Sequence, residues 1–405
     1  MKKGDGHVGI YQQLGLEPII NASGAVTRLG GAPMPDEVLD AFRAAAAETV
    51  PLDRLQGAAS RVIAAATGTE AGLVTAGAAA GLTLGAAAML TGNDLRRMER
   101  LPQCDDFPNE IVVAREHRNG YDHAVRATGA RLVEVGFHES ASGAGMRRVE
   151  AWEYEAAFGP RTAGVLYVMT SGSRPPLEEV AKRAHAHHLP VLVDAAGELP
   201  PRSNLTAIPA SGADLVVFSG GKAIRGPQAT GILCGRRDLV GAAALQMLDI
   251  DEHSDLWEPP PELIDRAQLA GMPRQGIGRG FKVSKEQIVA LLAALERFAG
   301  GHFDRLLAGY TQRLRRIADA LAGAAARCTL HEGKPECLPM LEIAVDEQRL
   351  GRTAVEVCRR LRAGSPPCYV GHWALDEGQL LLNPLHLDDD RAETLGRRLR
   401  EELTP

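Results

Sequence analysis

Short apolar runs of four to six residues recur along the first two thirds of the chain, separated by stretches with apolar positions three or four apart. The runs predict strands at 71–75, 111–114, 131–135, 164–169, 190–194 and 214–218, with a hairpin-like strand at 231–234. Between them the spacing predicts helices at 77–90, 120–127 and 177–187. Upstream, the apolar run Pro18-Ile19-Ile20 precedes the punctuating Gly30-Gly31-Ala32-Pro33-Met34-Pro35. A helix from Asp36, with Val38, Leu39 and Phe42 on one face, and another at 55–67 follow. Downstream, a long helix is predicted from 285 through the Gly300-Gly301 pair to 321, then strands at 341–345 and 379–383 around a helix at 353–362. Short, mostly apolar strands alternating with helices imply an α/β chain with a largely parallel sheet covered on both faces. Such sheets bind ligands at the carboxyl ends of their strands.

Composition narrows the function classes. With 45% hydrophobic and 24% charged residues over 405 positions, the chain reads as globular. Its net charge of −6 and 4% aromatics argue against a nucleic-acid surface. The run Arg96-Arg97-Met98-Glu99-Arg100 reads as a solvated loop. Residues 71–90 are apolar but interrupted by glycine and threonine, which favours a buried helix over a membrane span. No apolar stretch follows Met1-Lys2-Lys3-Gly4-Asp5-Gly6-His7, so no secretory signal is expected. Six cysteines without a C-x-x-C pair predict reduced thiols in a cytoplasmic protein.

Four segments carry candidate chemistry, each at the carboxyl end of a predicted strand. Val74-Thr75-Ala76-Gly77-Ala78-Ala79-Ala80-Gly81 turns from strand to helix with no side chain larger than methyl after Thr75. Free N–H groups at such a helix start suit a phosphate, although tight helix packing gives the same sequence. Arg115-Glu116-His117-Arg118-Asn119-Gly120 offers a flat imidazole, either for stacking on a flat cofactor or as a hydrogen-bonding loop residue. Pro190-Val191-Leu192-Val193-Asp194 ends a buried strand on a carboxylate, suited to a pyridinium nitrogen or to capping a following helix. Phe218-Ser219-Gly220-Gly221-Lys222 places a lysine just beyond another buried strand, where burial is costly unless the amine is neutral or covalently bonded. The alternative is a surface lysine in a strand-to-helix turn.

Two clusters look functional and read otherwise. His185, His187 and His188 lie on an outer helix ahead of the aspartate strand, so no metal site is expected. Pro366-Pro367-Cys368 reads as a proline break entering a strand, which makes Cys368 structural.

Taken together, these segments resemble fold-type I pyridoxal 5′-phosphate enzymes, and within them the selenocysteine synthase-like family. Ile20-Asn21-Ala22-Ser23-Gly24, Thr67-Gly68-Thr69-Glu70-Ala71 and the lysine segment with Gly226-Pro227-Gln228 extend the similarity over most of the chain. The resemblance implies that Lys222 bonds the cofactor aldehyde, Asp194 pairs with the ring nitrogen and His117 stacks on the ring. It further implies that Gly77, Ala78 and Ala79, with Ser219, hold the phosphate, and that Ser171 contacts the ring hydroxyl. Relatives commonly grip the substrate carboxylate with an arginine on a C-terminal strand. Here Asn383 occupies that stretch, so Arg28 or Arg279 is expected to take over.

The domains implied are an N-terminal segment (1–50) on the small domain, a large cofactor domain (51–275) and a small C-terminal α/β domain (276–405). The activity implied is α,β-elimination by a lyase of the ammonia-lyase or dehydratase type on a small hydroxylated or sugar-derived amino acid. A racemase, an aldolase or a selenium transferase acting on aminoacyl-tRNA would use the same residues. A homodimer or higher even homo-oligomer is expected, with no nucleic-acid or membrane partner.

Overall fold

In the computed structural model, residues 9–137, 148–333 and 336–405 are described. Twelve strands occur among them: β1 (Ile20–Ala22), β2 (Ala71–Thr75), β3 (Glu110–Ala114), β4 (Arg131–Val135), β5 (Thr162–Val168), β6 (Val191–Asp194), β7 (Leu215–Ser219), β8 (Gly231–Gly235), β9 (Ala326–His331), β10 (Met340–Val345), β11 (Cys368–Val370) and β12 (Gln379–Leu382). The chain divides into two compact units, residues 34–301 and residues 1–33 with 302–405.

The larger unit is built on a seven-stranded sheet in the order β2-β8-β7-β6-β5-β3-β4. Only β8 runs against its neighbours, so β2, β3, β5, β6 and β7 all end at one edge. Their residues are buried almost without alternation, as expected for a sheet covered on both faces. The helix Gly77–Thr91 lies directly on it. A Cβ at Gly81 would come 3.0 Å from Val217, and one at Gly85 would come 2.9 Å from Leu192. The small residues therefore set how closely helix and sheet approach. No helix among the described residues is long and apolar enough to cross a membrane.

In the smaller unit, β1 pairs in parallel with β11, and β12-β10-β9 form an antiparallel sheet. The buried faces of helices Leu307–Ala320, Ala354–Ala363 and Asp389–Leu403 contribute to its core. Cys368 is buried there, and burial pushes its thiol up to about 11.

Three expectations change. The long helix 285–321 is two helices, Lys285–Ala299 and Leu307–Ala320. Its glycine pair stops it, Gly301 taking a φ of +75°. The boundaries fall at 33/34 and 301/302 rather than after 50 and 275, because helix Asp36–Ala46 packs on Lys285–Ala299. Arg297 pairs with Glu37 at 2.7 Å, and Lys285 Nζ donates to Ala46 O at 3.3 Å across that contact. Finally, the arginine run forms a short helix, Leu95–Arg100, because Asp94 caps it by accepting the Arg96 and Arg97 N–H groups.

Candidate active site

The site is built from strand ends. Ser219, Gly231 and Thr75 lie at one level across β7, β8 and β2, and Asp194 faces Val217 on one side and Val168 on the other. The turn after Thr75, Ser219 and Asp194 thus share one edge. His117, in the turn after β3, and Ser171, after β5, follow strands that end there too.

Lys222 does not lie in a strand-to-helix turn. Its loop returns as β8, held by Gly220 N–H to Thr230 O (2.9 Å), Arg225 N–H to Lys222 O (3.0 Å) and Gly226 N–H to Gly220 O (2.9 Å). Glycine is required in this loop: a Cβ at Gly221 would come 2.5 Å from the Gln228 Cα. Lys222 is partly buried, and burial lowers its ammonium below the ordinary lysine range against the pull of Asp194 and Glu198. Asp194 is pushed up by burial, opposed by the Ala196 N–H and by Lys222. That N–H donates to Asp194 Oδ1 at 3.0 Å, and the next helix begins only at Asn204, so Asp194 caps no helix.

The turn into Gly77–Thr91 has the shape of a cradle. Gly77 adopts a φ of +84°, and a Cβ on it would meet nothing within 4 Å, so the space above it is open. Below, Gly231 is tight against the turn, its hypothetical Cβ 2.5 Å from the Gly77 carbonyl carbon. The first N–H groups of a helix have no intrahelical partner. Those of Gly77, Ala78 and Ala79 belong to this turn, with the Thr75 hydroxyl donating to Gly77 O at 2.9 Å.

His117 is 5% exposed, and neither ring nitrogen has a hydrogen-bond partner among the described residues. Burial lowers it to about 4, so it is a neutral ring near pH 7. Tyr167 meets it edge-on, with centroids 4.7 Å apart and planes at 75°, and the Tyr167 hydroxyl donates to Pro175 O at 2.8 Å.

A pyridoxal phosphate fits these features. Asp194 shares its nearest cation, Lys222, with a second carboxyl and would gain one of its own in a pyridinium. The open turn suits a phosphate, and the buried imidazole has unmet hydrogen bonds.

Other expected residues lie elsewhere or are engaged. Ser171 is exposed in a turn held by Ser173 Oγ donating to Val168 O at 2.8 Å. Arg279 forms an ion pair with Asp249. Arg28 and Asn383 belong to the smaller unit. Arg28 lies 5.9 Å from the Tyr369 ring centroid, and Asn383 Oδ1 accepts the Leu385 N–H at 3.0 Å. His185 meets Asp214 at 2.8 Å, and His187 meets Glu155 at 3.2 Å.

Glu198 was missed by the sequence reading. Its only signal is an acidic residue four past the strand-ending aspartate, ahead of Leu199-Pro200-Pro201.

Residues 111–249 match the aminotransferase class-V family. Over 411 aligned residues the chain is 34% identical to 5′-C-glycyluridine monooxygenase-decarboxylase from a Streptomyces species, covering 98% of this chain and 92% of that one. It is 30% identical to D-glucosaminate-6-phosphate ammonia lyase of Salmonella typhimurium, covering 97% of both. A solved structure of D-glucosaminate-6-phosphate ammonia-lyase matches at a TM-score of 0.80 and 29% identity, over 98% of each chain. The fold, the pyridoxal 5′-phosphate cofactor and the lyase expectation stand with these relatives. The chain belongs to the selenocysteine synthase-like family of fold-type I pyridoxal 5′-phosphate enzymes, the family that includes D-glucosaminate-6-phosphate ammonia-lyase.

Proposed function

We propose that the protein is a lyase that removes ammonia from a small hydroxylated or sugar-derived amino acid by α,β-elimination. When bound, pyridoxal phosphate supplies an electron sink for a carbanion at Cα. Lys222 would hold the cofactor through its aldehyde, and its free amine would take the Cα proton, a task suited to an amine whose proton affinity burial has lowered. Asp194 would hold a proton on the ring nitrogen, and the neutral His117 ring would stack on the cofactor face. The N–H groups of Gly77, Ala78 and Ala79, with Ser219, hold the phosphate, and Ser171 reaches the ring hydroxyl. Relatives of this fold suggest a homodimer or a higher even assembly.

The observation that supports this most is the pairing of Lys222 and Asp194 on adjacent strand ends, each shifting the other's proton affinity. The test is a screen of D- and L-amino acids and amino-sugar acids against the reconstituted holoenzyme, scoring spectral change, ammonia and keto acid. Lys222→Ala is expected to lose the covalent cofactor absorbance and all product. Product formation that survives this substitution overturns the reading.

A second reading rests on the Streptomyces relative, whose name denotes oxidative decarboxylation rather than ammonia loss. Its test adds an amino acid borne on a nucleoside to the screen and measures oxygen consumption and carbon dioxide release, both of which this reading expects.

A further inference from the structure

One carboxyl at the site has no part in the reaction so far described. Glu198 lies four residues beyond Asp194, where the chain reverses as soon as β6 ends. Ala195 N–H donates to Val217 O at 3.0 Å, Glu198 N–H donates to Ala195 O at 3.1 Å, and Asn204 Nδ2 donates to the Glu198 carbonyl at 2.7 Å. The backbone at Glu198 is therefore fixed from both sides. Its side chain is partly buried, its carboxyl makes no hydrogen bond among the described residues, and the charges acting on it are those of Lys222 and Asp194.

We propose that Glu198 is a second acid–base group of this site, donating a proton to the hydroxyl that leaves Cβ of the substrate. The role rests on the elimination reading above. In the step, the Cα–H proton passes to the Lys222 amine and the Cβ–O bond breaks with its electron pair on oxygen. The Glu198 proton completes a water molecule, and the amino acid left with a Cα–Cβ double bond tautomerises and takes up water to give keto acid and ammonia. Two neutral groups, amine and carboxylic acid, become an ammonium and a carboxylate that attract each other, so the charge created is stabilised where it forms. Burial acts in the required direction on both, raising the carboxyl and lowering the ammonium.

The experiment compares wild-type holoenzyme with Glu198→Gln and Glu198→Asp on D- and L-serine and on D- and L-β-chloroalanine in deuterated buffer. It follows Cα–H exchange by NMR and ammonia release from the same samples. Glutamine keeps the size of the side chain but has no proton to give. Glu198→Gln is expected to release ammonia from serine about 100-fold more slowly, the lower end of the usual effect of a general acid. Its Cα exchange is expected to stay near wild type, and its rate on β-chloroalanine to recover, because chloride leaves without a proton. Glu198→Asp should restore part of the serine rate. Equal loss of exchange and of elimination from both substrates, or a wild-type rate on serine, overturns the role of Glu198 alone. A wild-type enzyme that exchanges the Cα proton but releases no ammonia from either substrate overturns the elimination reading, and this role with it.

Discussion

Gly231→Ala is the most informative single methyl group that can be added to this protein. Its Cβ would lie 2.5 Å from the Gly77 carbonyl carbon and 2.6 Å from the Ala78 nitrogen, whereas unstrained carbon contacts lie near 3.5–4.0 Å. Both atoms are backbone, so no rotamer change relieves the clash, and strand and turn must separate by about 1 Å. Gly231 is also held in ladders opposite Thr75 and Ser219, which leaves the helix start as the part that moves. Overpacking of this kind costs about 1–3 kcal/mol, offset by about 0.4–1 kcal/mol from the stiffer unfolded chain. A net loss of about 1–2 kcal/mol lowers Tm by about 2–8 °C for a unit of this size. Gly280→Ala is the control: a Cβ there meets nothing within 4 Å, and its stability should hold or rise slightly. If the helix start holds the phosphate, losing one charge-assisted hydrogen bond weakens pyridoxal phosphate binding about tenfold or more. Phosphate-free pyridoxal should bind both proteins alike. Fluorescence titration with the two vitamers, beside thermal unfolding, measures this. Equal weakening of both vitamers, or an unchanged Tm, refutes the cradle.

Two predictions follow from burial. The buried His117 ring is lowered from 6.5 to about 4, so the stability it contributes is present above pH 6.5 and lost as pH falls through about 4. That contribution is about 3 kcal/mol, and in urea unfolding of the cofactor-free protein His117→Phe should flatten the pH dependence between 6.5 and 4; an unchanged slope refutes its neutrality. Asp194 has the opposite sign: its raised carboxyl favours the folded chain at low pH and penalises it as pH rises through the folded value. Cofactor-free Asp194→Asn should therefore unfold at higher temperature than wild type at pH 8 and at a similar temperature at pH 3, while binding pyridoxal phosphate without activity; lower stability at pH 8 contradicts the desolvation argument.

Much of the larger unit was legible because its signals are physically redundant. β2 (Ala71–Thr75) and β4 (Arg131–Val135) have the expected limits, and β6 and β7 end within a residue of prediction. Lys222 and Asp194 stood out for the same reason: an ionisable group next to an apolar strand is costly unless it is used. The missed elements lack that redundancy. In β9, only Ala326, Cys328 and Leu330 turn inward, which is too weak an alternation to register. Helix Asp389–Leu403 shows a narrow stripe, Leu395, Leu399 and Leu403, among charged residues that dominate any window over it. The break after Ala299 was misread because two glycines lower helix propensity without forbidding a helix, and only the backbone of Gly301 shows which outcome prevailed.

Glu198 was illegible for a different reason, which also connects the two proposals. Nothing local distinguishes it from a surface glutamate. Its surroundings come from the reversal after β6 and from the Lys222 loop, which is distant in sequence. Without cofactor, two carboxyls share one buried ammonium, and both are raised. A pyridinium beside Asp194 would give that carboxylate its own counter-ion, and the neutral amine that the proposed step requires of Lys222 would leave the Glu198 carboxyl without a cation to draw off its proton. On the proposals above, the same cofactor would thus separate the three groups into an ion pair that serves the ring and an acid–base pair that serves the substrate.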